Sequence, residues 1–140
     1  MKEKKETILV CQGSGCLSSK SDEILNALKE GIDTAGLESK PDVKLTGCHG
    51  FCQQGPLVVM EPKGTFYTGV KTKDVEKIIE SDLKNNEPVK KLLYKDPQSK
   101  ERIPRYQDIK YYSKQQMELL ENCGHINPEA IDDYIAAGGY

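Results

Sequence analysis

Four cysteines stand in two spaced pairs, Cys11 with Cys16 and Cys48 with Cys52, and each pair begins where a short apolar run ends. This arrangement constrains the fold more than any other feature of the chain. Two loops that each present two sulfurs can close a four-thiolate cage, but only if the runs before them end side by side. Thr7-Ile8-Leu9-Val10 is short, apolar and rich in β-branched residues, which predicts a buried strand ending at Cys11. Val43–Thr46 predicts a second strand, followed directly by Gly47 and Cys48. If the two are parallel neighbours, both cysteine pairs fall at one end of one sheet.

The residues between them predict the required connection. Ser19 or Ser21 can cap a helix, with Asp22 and Glu23 placed to complement its dipole. Ile24, Leu25, Leu28 and Ile32 keep helical spacing, and Gly36 supplies a stop. A strand–helix–strand unit gives a parallel, right-handed crossover pair. Leu57-Val58-Val59-Met60 and Phe66-Tyr67, joined by a turn at Pro62-Lys63-Gly64, predict an antiparallel hairpin, and Pro56 before it is a candidate cis-proline. A last helix starts at Thr72 with Val75, Ile78, Ile79 and Leu83 on one face. The predicted order is β-α-β-β-β-α, an α/β domain with a mixed four-stranded sheet, which is the outline of a thioredoxin-like fold.

Charge and proline divide the rest. Residues 84–114 carry nine basic and four acidic side chains with three prolines, and residues 115–140 carry five acidic side chains and no Lys or Arg. The expected organisation is a domain over 1–83, a basic linker over 84–110 and a short helical segment over 111–140. Tyr111–Glu121 has helical composition. Asn127-Pro128 suits the start of another helix, with Ile131, Tyr134 and Ile135 as its apolar face. Two such helices cannot bury a core, so they are expected to pack on something beyond the 140 residues. The basic linker reads as a solvated tether, with docking on an acidic partner as the other reading.

Bulk properties narrow the chemistry. The chain is 36% hydrophobic with no Trp and two Phe, so a bound metal centre would help stabilise a lean core. A net charge of −2 gives no electrostatic reason for nucleic acid. No run approaches the ~20 apolar residues of a membrane span, and the charged start Met1–Glu6 does not lead into a secretory signal. A cytoplasmic setting follows as the expectation, where paired cysteines are metal ligands or redox thiols before they are disulfides. The fifth cysteine, Cys123, leaves an odd count and reads as a structural residue. Neither pair has the C-x-x-C spacing of a redox dithiol.

Two readings of the cage stay open on the residues: a four-cysteine zinc site that helps dock a larger subunit, and a [2Fe–2S] cluster that passes electrons. Gly13, Gly15, Gly47, Gly50 and Gly55, five of twelve glycines, crowd the cysteine loops and favour the cluster, because backbone amides can then approach the sulfurs. The half-matched Gly13-Ser14-Gly15 fingerprint lacks its third glycine and the acidic residue that a ribose would need. His49 reads as a solvent-facing neighbour of the cage. A ligand role for it would need a second histidine, and His125 lies far along the chain.

Cys11-Gln12-Gly13-Ser14-Gly15-Cys16 and Gly47-Cys48-His49-Gly50-Phe51-Cys52, with Gly55-Pro56 and Tyr67, resemble the thioredoxin-like [2Fe–2S] ferredoxins. More narrowly, they resemble the N-terminal domain of the flavoprotein subunit of NAD(P)-linked, electron-bifurcating [FeFe] hydrogenases and related formate dehydrogenases. That subunit is itself similar to the NADH-binding subunit of respiratory complex I. Asn122-Cys123-Gly124, Asn127-Pro128-Glu129 and Asp133–Tyr140 look like the lead-in to its flavin domain. The resemblance implies one [2Fe–2S] cluster on Cys11, Cys16, Cys48 and Cys52 and relay of single electrons. It implies flavin or Fe–S subunits of a hydrogenase or NADH dehydrogenase-type complex as partners. A homodimer is a further arrangement, and NADH oxidation is not expected of these residues alone.

Overall fold

The computed structural model describes residues 5–38 and 40–140; Met1–Lys4 of the charged start, and Ser39, lie outside them. In chain order the elements are β1 (Thr7–Cys11), α1 (Ser14–Ser18), α2 (Ser21–Ala35), β2 (Asp42–Thr46), β3 (Val58–Glu61), β4 (Thr65–Tyr67) and α3 (Thr72–Ile78). Beyond them come β5 (Tyr94–Lys95), β6 (Arg102–Ile103), α4 (Lys110–Ser113) and α5 (Ile131–Ala136). The main sheet has the order β2-β1-β3-β4, with β1 parallel to β2 and the other pairs antiparallel. This is the expected α/β fold with a mixed four-stranded sheet. Among the described residues no helix is long and apolar enough to cross a membrane.

Strand alternation separates two cores. Ile8, Val10, Val58, Met60 and Tyr67 face Ile24, Leu28 and Ile32 of α2 and Val75 and Ile78 of α3. Leu9, Cys11, Val59 and Phe66 point to the other face, so β1 is buried on both sides and its run is continuously apolar. Register places Cys11 opposite Thr46, which brings the two cysteine loops to the same end of neighbouring strands, as their positions after β1 and β2 predicted.

Local details differ from expectation in two places. The first cysteine loop is partly helical, with α1 over Ser14–Ser18, and Ser19 donates back to the Gly15 carbonyl at 3.2 Å instead of capping α2. α2 starts at Ser21 behind Lys20, whose φ of +67° turns the chain. Gly36, at φ +60°, ends the helix as predicted. α3 covers Val75 and Ile78 and widens into a π-turn over Ile79–Lys84, with Leu83 half-buried. The Gly55–Pro56 bond is cis, as is Glu61–Pro62.

The segment read as a basic tether is folded onto the sheet. Leu92, Leu93, Tyr94 and Ile109 are buried, and Leu93 and Arg105 bridge to Tyr67 and Thr65 along the outer edge of β4. Phe66 N–H donates to the Pro104 carbonyl at 2.9 Å and Thr68 N–H to the Leu92 carbonyl at 2.8 Å, so the edge strand is covered. The Asp96 carboxylate accepts from the Gln98 and Ser99 amides and closes the turn between β5 and β6. Four well-placed apolar side chains outweigh the charge count, because long basic side chains can keep their heads at the surface while the backbone pairs, and Arg102 donates to the Lys91 and Leu93 carbonyls. The helix read over Tyr111–Glu121 also shortens, to α4 at Lys110–Ser113. Met117, Leu119 and Leu120 are exposed there, Leu119 at 99%, and give the helix no face to pack. α5 forms later than predicted, at Ile131, while Asn127 uses its side chain on the Glu129 amide.

Candidate metal centre

Each cysteine of the two pairs is positioned by a different piece of backbone. Cys11 is the last residue of β1, and its amide donates to the Leu57 carbonyl at 3.1 Å. Cys16 sits in α1, one turn on. Cys48 follows β2, and Cys52 opens a 3-10 turn over Cys52–Gln54. The sulfurs of Cys48 and Cys52 are 3.7 Å apart, and the Cys11 thiol lies near enough to Cys16 and Cys48 for both to lower it. All four predicted ligands are therefore brought together. A sulfur separation of 3.7 Å matches an edge of a sulfur tetrahedron about a metal bonded at about 2.3 Å. Cys11 and Cys16 are buried while Cys48 and Cys52 are exposed, so the cage has one inner and one outer side.

The glycines have a more specific reason than flexibility. A Cβ on Gly15 would lie 2.7 Å from the Cβ of Cys52, and one on Gly13 would lie 3.2 Å from that of Cys48. A Cβ on Gly55 would come within 3.1 Å of the Cys16 sulfur. The two loops interlock at contact distance, each glycine of the first facing a cysteine of the second. Only Gly50, at φ +82°, is also required by its backbone, and its N–H donates to the Cys48 sulfur at 3.2 Å.

Crowding sets the electrostatics. Hydrogen bonding from Cys16 pulls the Cys11 thiol down to about 6 in spite of burial, while the same contact pushes Cys16 up. The Gly50 amide favours the Cys48 thiolate, but burial and Cys52 outweigh it and leave that thiol raised. A positive centre among these sulfurs would favour their thiolate forms. The donor set, four soft sulfurs with amides aimed at them, fits an iron–sulfur cluster.

His49 is not solvent-facing. It is only 6% exposed, and burial pushes its imidazole down to about 4. Its ring packs on Phe66, Tyr106 and Tyr112, and His125, distant in sequence, meets it edge-on with ring centres 6.1 Å apart. Its Nε2 finds no hydrogen-bond partner among the described residues. Cys123 is half-buried, and its thiol donates to the Cys48 carbonyl at 3.1 Å, beside the cage. Tyr112 donates its hydroxyl to the His49 carbonyl. Tyr112, Cys123, Gly124 and His125 are thus neighbours of the site that the sequence left unassigned to it, and no local spacing could have revealed them. An apolar groove of about 810 Å³ runs from Cys48 past Tyr111 to Leu119 and Leu120.

The sequence model of the thioredoxin-like [2Fe–2S] ferredoxin family matches residues 1–82. A 2Fe-2S ferredoxin of Clostridium pasteurianum is 42% identical over 96 residues, covering 63% of this chain and 94% of the relative. One from Aquifex aeolicus is 41% identical over 83 residues, covering 59% of this chain and 74% of that one. The crystal structure of the wild-type thioredoxin-like [2Fe–2S] ferredoxin from Aquifex aeolicus superposes with a TM-score of 0.58 at 33% identity. That match covers 64% of this chain and 96% of the solved one.

Proposed function

Because this chain belongs to the thioredoxin-like [2Fe–2S] ferredoxins, an electron-transfer family whose cofactor is a [2Fe–2S] cluster, we propose that Cys11, Cys16, Cys48 and Cys52 hold one such cluster and that the chain relays single electrons. The observation that carries the assignment is the convergence of these four sulfurs from two interlocked loops. Cys48 and Cys52, one tetrahedral edge apart, suit one iron, and Cys11 and Cys16 remain for the other. When bound, the cluster supplies reversible one-electron chemistry. The chain supplies the rest: Cys11 and Cys16 anchor the inner side under Leu57 and Phe66, and the Gly50 amide offers a hydrogen bond to the outer sulfur of Cys48. Exchange with a partner takes place across the exposed Cys48–Cys52 side.

The finer reading is a relay inside an NAD(P)H-linked hydrogenase or NADH dehydrogenase-type complex, in which these residues carry electrons and do not themselves oxidise NADH. It is supported by the resemblance of residues 122–140 to the lead-in of a flavin domain, and by the exposed Leu119, Leu120, Ile131 and Ile135. Reconstitution with iron and sulfide tests the cofactor assignment. Two irons and two sulfides per chain and a spin-resonance signal after dithionite reduction are expected, and Cys48→Ser should bleach or alter them. A colourless protein holding one zinc would replace the cluster with the zinc-bound docking module.

A further inference from the structure

The ligand loop between β2 and Cys52 is held from outside by residues far along the chain, beyond the 1–82 stretch that matches the family. Two peptide groups in it matter most. In the Cys48–His49 peptide, the carbonyl accepts from the Cys123 thiol at 3.1 Å, and the His49 N–H on its other side is among the groups that favour the Cys11 thiolate. In the His49–Gly50 peptide, the carbonyl accepts from the Tyr112 hydroxyl, and the Gly50 N–H donates to the Cys48 sulfur at 3.2 Å. A trans peptide is planar, with its C=O and N–H pointing in opposite directions. Holding each oxygen outward therefore aims the attached N–H inward.

The surrounding packing makes these two grips firm. Thr46 donates to the Ile126 carbonyl at 2.9 Å, at the start of the loop. The Phe51 ring lies 5.3 Å from both Tyr111 and Tyr112. Gly124, at φ +87°, leaves room for the His49 ring, which a Cβ there would meet at 2.6 Å.

We propose that Tyr112 and Cys123 are positioning residues: by holding two loop carbonyls they aim the His49 and Gly50 amides at ligand sulfurs, and so raise the cluster's reduction potential and slow its loss. The inference rests on the cofactor assignment above. Hydrogen bonds to sulfur stabilise the more negative, reduced cluster, so weakening them lowers the potential.

The test uses the full chain with its cluster, comparing wild type with Tyr112→Phe, Cys123→Ala and Cys123→Ser. Phe keeps the ring and its packing but removes the donor, while Ser restores a donor that Ala removes. Potentiometric titration followed by spin resonance should show Tyr112→Phe and Cys123→Ala shifted to more negative potential, with Cys123→Ser close to wild type. Release of iron to a chelator should be several-fold faster in the first two. Wild-type potential and release rate in both would overturn the proposal, as would a Ser variant that behaves like Ala for the part played by Cys123. Should Tyr112→Phe fail to fold, the Cys123 pair decides alone. A wild-type chain that takes up no cluster would instead overturn the cofactor assignment, which is a distinguishable result.

Discussion

Gly15 and Gly36 show how differently two glycines can be required. A Cβ at Gly15 would press on Cys52 at 2.7 Å, between two loops that cannot separate without parting the sulfurs. Gly36 has open space around it, and only its φ of +60° disfavours a side chain. Gly36→Ala should therefore cost about 1–2 kcal/mol, as a lone strained residue does, and leave cluster uptake intact. Gly15→Ala should cost about 1–3 kcal/mol from overpacking and also lower the iron bound per chain. Denaturant unfolding and iron analysis on both variants separate the two cases; equal iron content would show that the loops do not interlock as described. The sequence pointed to these glycines by their company and by the close approach of amides to sulfur, which Gly13 and Gly50 make, whereas a positive φ applies at Gly50 and not at Gly13, Gly15 or Gly55. What matters there is the distance to a residue on another loop, and no local pattern encodes that.

At the scale of elements, α5 is a short helix with an exposed apolar side, held in place mainly by polar contacts. The Asp133 carboxylate accepts from Lys44 of β2 at 2.8 Å and from the Asn127 amide at 3.0 Å. The Lys44 bond lowers the Asp133 carboxyl below its ordinary value, and the same bond raises Lys44. A depressed carboxyl stabilises the fold above its unfolded value, about 3.9, and that contribution fades as pH falls through the folded value. A raised lysine contributes below about 10.4 and is lost as pH rises beyond it. Amide protection of residues 131–136 should therefore be level across the neutral range and fall below about pH 4. In Asp133→Asn the protection should already be low at neutral pH; hydrogen exchange measures both. Helices α2 and α3 were legible because Ile24, Leu28 and Ile32, or Val75 and Ile78, repeat at helical spacing and have a sheet to cover. Tyr111–Glu121 has the composition of a helix, but Met117, Leu119 and Leu120 stay exposed rather than entering a core, and propensity alone cannot hold a helix so short.

Across the whole molecule, the segment after α3 is part of the fold. Ile109 is fully buried on the face of the sheet that carries Cys11 and Phe66, and Leu92 and Leu93 extend the opposite core. Ile109→Ala should destabilise the chain by about 2–5 kcal/mol in denaturant unfolding, as a core truncation does. A change within about 0.5 kcal/mol would mean that this stretch behaves as the tether its charge suggested. The two strands that bring the cysteine pairs together, the four sulfurs and the sheet-covering helices could all be read from the sequence. Each depends on a short apolar run or on residues a few positions apart, where backbone geometry alone relates side chains. The placement of Tyr112 and Cys123 over the ligand loop, the burial of His49 beneath Gly124 and the covering of β4 by Leu93 and Arg105 were decided only by the tertiary structure. These contacts join residues many positions apart in the chain, Cys48 and Cys123 by 75, and packing selects them without leaving a periodic trace in either segment.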